Sequence, residues 1–128
     1  IFMRLLISLV ITLSIIVALG LWSNYSLQAS TDELTRSIDK ISISIEKQQW
    51  EAARKQTDKL DKIWQGKAAW WPIMLEHQEI DNIEFSLARF KEYVNCKDKA
   101  MAQGQLSELR LMIRHIPQKE AVNIKNIL

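Results

Sequence analysis

Three side chains stand at a spacing that could hold a divalent cation. His77, Asp81 and Glu84 lie four and three residues apart, which puts an imidazole and two carboxylates on one face of a helix. Glu76 and Glu79 add carboxylates, and no Lys or Arg interrupts Glu76 to Glu84. The same acids suit the first turn of a helix, where the N-terminal dipole favours negative charge. The sequence has neither a HExxH nor an EF-hand pattern. The expectation is therefore no metal and no cofactor, with His77, Asp81 and Glu84 kept as candidate ligands. His115, two residues before Pro117, reads as a helix C-terminal residue, where a protonated imidazole would be favoured. The single Cys96 cannot close an internal disulfide and fixes no redox compartment.

The aromatic residues offer a second kind of chemistry, partner binding. Five Trp stand against 2 Tyr and 3 Phe. Trp50 and Trp64 fall on an apolar helical stripe, so a core is their natural address. Trp70 and Trp71 are adjacent and cannot both face the same way from one helix. At least one of them then belongs at a surface, an interface or the membrane. Trp70, Trp71 and Arg89 are the candidate partner surface. The default for Arg89 is a plain surface arginine, the alternative a pair with a carboxylate on a neighbouring helix. No Ser-His-Asp set, glycine-rich phosphate loop or cysteine-rich site is present, and the chain is not expected to be an enzyme.

The elements that position these residues follow from composition and periodicity. With 3 Gly and 2 Pro in 128 residues, the chain has about 4% of these residues against a usual ~12%. It cannot readily supply the turns of an all-β fold. Lys and Arg total 17 and Asp and Glu 15, a balance unlike the basic stripe of a nucleic-acid binder. An all-α protein is expected.

Its first thirty residues set the address. Leu5 to Leu21 carries no charge, and with Phe2 and Trp22 it makes a helix of roughly 31 Å. Trp22 and Tyr25 follow like an aromatic belt, and Ser8, Thr12 and Ser14 can bond back to helix carbonyls. Ala18-Leu19-Gly20 resembles a signal-peptidase site, but the run exceeds the ~7–15 residues of a signal core. An uncleaved anchor is the reading adopted. Met3-Arg4 is a candidate start. Arg4 precedes the span and no Lys or Arg follows until Arg36, so the positive-inside rule places the N-terminus in the cytoplasm and the remainder outside. The expected organisation is an anchor over residues 1–25 and a helical domain over 26–128.

Four apolar stripes recur at helical steps in that domain. The first is Leu34, Ile38, Ile41 and Ile45, with Ser30 and Glu33 spaced as a capping box, or with the helix running on from the span through a weak point at residues 23–26. The second is Trp50, Ala53, Thr57, Leu60 and Trp64, ended or kinked between Gly66 and Pro72. The third is Ile80, Ile83, Leu87, Phe90 and Val94. The fourth is Met101, Gln105 or Leu106, Leu109, Met112 or Ile113, and Ile116, capped by Asp98 and stopped by Pro117, with a short final helix after it. An offset of 49 superposes stripe one on three, two on four, and the polar break Lys47-Gln48 on Cys96-Lys97. Two α-hairpins making a bundle of about four helices are expected. The period differs from the 34 residues of TPR units, so only the hairpin geometry is carried over.

The run from His77 to Glu84, then Ser86-Leu87-Ala88-Arg89, Lys91-Glu92-Tyr93, Leu106-Ser107-Glu108-Leu109 and His115-Ile116-Pro117 resembles a family of short bacterial proteins. That family, domain of unknown function number 4363, is known mainly from spore-forming Firmicutes and combines one N-terminal span with a helical domain. Trp50-Glu51-x-Ala53 and Asn123-x-Lys125-Asn126-Ile127 extend the resemblance over nearly the whole chain. It implies an accessory or partner-binding role and no assigned catalytic residue. The expected function is a non-enzymatic interaction module at the cytoplasmic membrane, held through residues 2–22 and binding another membrane protein or itself. The alternative is an extracytoplasmic ligand or metal sensor.

Overall fold

The structure, a computed structural model, describes residues 1–69, Trp71 and 76–127, and for 117–127 the helix without its side chains. It is all-α, with four helices among the described residues: α1 Phe2–Glu46, α2 Trp50–Ala68, α3 His77–Asn95 and α4 Lys99–Ile127. No strand occurs among the described residues.

Helix α1 is continuous over 45 residues, about 68 Å at ~1.5 Å per residue. Nothing from residue 21 to 46 is Gly or Pro, so each N–H finds the carbonyl one turn back. Ser30 and Glu33 therefore sit inside the helix and form no capping box, and residues 23–26 are not a break. The N-terminal half packs against nothing. Its most apolar window of 18 residues has a mean hydropathy of 2.6 and no buried share, long and apolar enough to cross a membrane. Thr12 Oγ1 donates to the Ser8 carbonyl at 2.8 Å, which satisfies its hydroxyl within the helix.

From Leu27 onward α1 enters a bundle in which neighbours follow chain order and α4 closes back on α1. Consecutive helices run antiparallel, as the partners show: Ser44 with Gln56 across α1–α2, Asp61 with Lys91 across α2–α3, Ser86 with Gln105 across α3–α4, and Ser42 with Gln103 across α1–α4. The core is made by the expected stripes: Leu34, Ile38, Ile41 and Ile45, then Ala53, Leu60 and Trp64, and the third stripe whole. Each fully buried large apolar side chain contributes roughly 1.5–3 kcal/mol. Two details of the fourth stripe are corrected. Met101 is exposed, and Ala102 takes the inward position. Pro117 does not end α4, which continues to Ile127 without a separate final helix. Proline has a helix-compatible φ and costs chiefly one donor, here the one that would reach the Ile113 carbonyl.

The turns within the two hairpins are the same object repeated 49 residues apart. Gln49 N–H donates to the Ser44 carbonyl and Gln48 N–H to Ile45, both at 2.9 Å; Asp98 N–H donates to Tyr93 and Lys97 N–H to Val94, both at 3.0 Å. This is the double hydrogen bond of a Schellman motif. Gln48 and Lys97 hold φ of 57° and 56°, a left-handed conformation that usually goes to glycine. Asp98 Oδ1 then accepts from Met101 N–H at 3.1 Å, capping α4 as expected, whereas Gln49 gives α2 no side-chain cap.

Candidate functional site

The residues proposed for metal chemistry do not converge. His77 is the first residue of α3 and exposed, Asp81 is exposed and Glu84 half-buried. Among the described residues, no group of three or more His, Cys, Asp or Glu is arranged to hold a metal ion. Glu76 is the N-cap residue of α3 and Glu79 lies in its first turn, where the helix dipole favours acids.

The tryptophan edge also resolves differently. Trp71 is fully buried, its ring 5.4 Å from that of Trp64 in a T-shaped contact at 76°. Such edge-to-face pairs add about 0.5–1.5 kcal/mol beyond burial. Trp71 is thus a core residue and not a partner surface. Trp70 lies outside the described residues. Arg89 is exposed on α3, and Cys96 is exposed in the second Schellman turn.

Open grooves between neighbouring helices are what the surface offers. The α3–α4 groove holds about 230 Å³. Its floor is apolar, made by the buried Ile83 and Ile116 and the half-buried Met112. Its polar rim is Glu79, Asn82, Glu108 and His115. Leu111 stands on the same groove, and Phe85 lies one turn along α3 from Asn82; each is 60% exposed. The α1–α2 groove, about 300 Å³, is lined instead by Arg36, Lys40 and Lys59 with Ser37, Gln56 and Ile63. Glu33 on its edge is paired with Lys67 at 2.9 Å, so the groove keeps a basic balance. A third groove, between α2 and α3, holds about 510 Å³ and is polar, with Arg54, Asp58, Lys91 and Asn95 around Thr57 and Val94.

The buried hydroxyls serve the scaffold. Thr35 Oγ1 donates to the Thr31 carbonyl at 2.8 Å and Thr57 Oγ1 to Ala53 at 2.7 Å. Ser86 Oγ accepts from Gln105 Nε2 at 2.7 Å. The arrangement is suited to docking: an apolar groove with an acidic rim on one hairpin, and a basic groove on the other. Stripe reading misses these residues because it follows only the inward face. A signal was nevertheless present. Phe85 and Leu111 are apolar residues off the stripe, and the offset of 49 sets them against Arg36 and Lys62.

A family model described as a domain of unknown function (DUF4363) matches residues 21–127. No curated protein and no solved structure matches the chain.

Proposed function

The chain belongs to the family of domain of unknown function 4363, and on that premise we propose that it is a non-enzymatic, membrane-anchored helical module that binds another membrane protein or a copy of itself. The observation that carries this reading is the single helix α1. Its first half is apolar and exposed on all sides, and its second half is a wall of the bundle. With no loop between the two, a bilayer gripping Phe2 to Trp22 holds the bundle at a fixed height and a restricted tilt. A tethered domain that cannot wander meets partners in the plane of the membrane, where modest affinities suffice because the local concentration is high. Arg4 before the span and the absence of Lys or Arg until Arg36 support a cytoplasmic N-terminus and an external bundle.

Cys96, exposed at the far end of the bundle, tests the topology. A membrane-impermeant maleimide added to intact cells should label it, and the protein should stay with membranes after alkaline carbonate washing. Labelling only after lysis would reverse the orientation, and release by carbonate would remove the anchor. Crosslinking in intact membranes should give adducts larger than the monomer. A second reading, sensing of a small anionic ligand, is favoured by the polar α2–α3 groove, where Arg54 and Asn95 flank an open cavity. Calorimetry of the intact protein with small carboxylates, repeated with Arg54→Ala, tests it; absence of heat sinks that reading.

A further inference from the structure

We propose that the partner is a second copy of this chain, its acidic and apolar α3–α4 groove docked on the basic α1–α2 groove of its neighbour, so that anchored copies line up in rows along the membrane. The inference rests on the membrane-anchored reading above and names the partner it leaves open.

Four observations carry it. First, α1–α2 and α3–α4 are opposite seams of the ring in which the helices follow one another. A copy therefore presents one groove on each side, and contact through unlike faces propagates instead of stopping at a dimer. Second, three equivalent positions of the two hairpins differ in character, although Lys40 and its counterpart Arg89 are both basic. At the offset of 49, Lys59 is matched by Glu108, Arg36 by Phe85 and Lys62 by Leu111. Two hairpins with one backbone plan thus carry a basic face and an acidic, apolar one, the combination that favours unlike contact and disfavours like contact.

Third, the charges stand at the same height. Within one copy Asp39 meets Arg110 at 3.3 Å and Ser42 meets Gln103 at 3.0 Å, so Glu108 and Leu111 are level with Arg36 to Lys40. Copies standing on one bilayer share that level. In a row, α4 of one copy faces α1 of the next, and Glu108 comes opposite Arg36 and Lys40. Fourth, Phe85 and Leu111, each 60% exposed, gain cover there from Ile63 and from arginine and lysine stems, with a cation beside an aromatic face. Such a row keeps every anchor on the same side and requires no copy to invert.

The test uses the full chain in membranes. Glu108→Lys should reduce crosslinked oligomers at least tenfold, as should Arg36→Glu with Lys40→Glu. Combining all three substitutions in one chain should restore the oligomers. Thermal unfolding of each variant identifies any that fail to fold, and the restored triple variant then decides. In a Cys96→Ser background, a chain carrying both Ser37→Cys and Leu111→Cys should give a ladder of dimers, trimers and higher species with a bis-maleimide. Either cysteine alone should give none. Unchanged association in Glu108→Lys, failure of the triple variant to restore it, or self-crosslinking of Leu111→Cys alone would overturn the proposal. A chain that resists carbonate, captures a different membrane protein and stays monomeric also overturns it while leaving the anchored-module reading standing. A chain released by carbonate overturns both.

Discussion

Replacing Gln48 or Lys97 by glycine should stabilise the bundle, although neither side chain makes a contact that glycine would improve. Both residues sit at φ near +57°, where a side chain bearing a Cβ costs about 1–2 kcal/mol. Glycine removes that cost and returns about 0.5–1 kcal/mol through the greater freedom of the unfolded chain. The net expectation is about 0.5–1 kcal/mol at each site. For a bundle of this size, with roughly 4–8 °C per kcal/mol, that is an increase in Tm of about 2–8 °C. The assay is thermal unfolding of the intact protein in detergent, followed by far-ultraviolet circular dichroism and by tryptophan fluorescence of the Trp64–Trp71 end. Gln48→Ala and Lys97→Ala are the controls: they remove the side chain but keep the Cβ, and should stay within about 0.5 kcal/mol of the parent. Because the two turns share the same hydrogen bonds, the two glycine gains should be similar. Glycine variants that melt at or below their alanine counterparts would refute the strain argument. A gain at one turn only would refute the equivalence of the hairpins.

The remaining expectations follow the same geometry. Gly104 lies inside α4 with open space where a Cβ would stand, so Gly104→Ala should add about 1 kcal/mol of helix stability, read by urea unfolding. Asp98→Ala should cost about 1 kcal/mol by removing the cap of α4, and Gln49→Asp should gain a comparable amount by giving α2 the cap it lacks; melting curves of both check the pair. Phe90→Ala empties a fully buried position and should destabilise by about 3–5 kcal/mol in chemical denaturation. Leu13→Arg places a charge in the middle of the exposed apolar half of α1 at an insertion cost of about 2.5–3.5 kcal/mol. It should shift the protein out of the carbonate-resistant membrane fraction while the unfolding of the bundle stays unchanged.

The amino-acid sequence by itself determined the class, the four apolar stripes and most of the inward face. Scarce Gly and Pro and a period near 3.6 left little but helices, and Leu34, Ile41, Leu60, Phe90 and Leu109 are buried as their spacing demanded. The offset of 49 was legible too, down to the turns, because a Schellman turn consumes a fixed number of residues and repeats wherever two hairpins are built alike. Tertiary structure decided what local patterns leave open. Ser30 with Glu33 has the spacing of a cap, yet a helix arriving from the apolar N-terminal half already satisfies those amides, so α1 runs through. Pro117 looks like a terminator, yet a helix can lose one donor and continue. The Trp70–Trp71 pair left open which ring turns outward, and Trp71 is core, its ring packed edge-on against Trp64. Nothing in a single helix says that Arg36 and Glu108, 72 positions apart, stand at one height on opposite sides of the same bundle. Only the antiparallel register of α1 and α4 settles that.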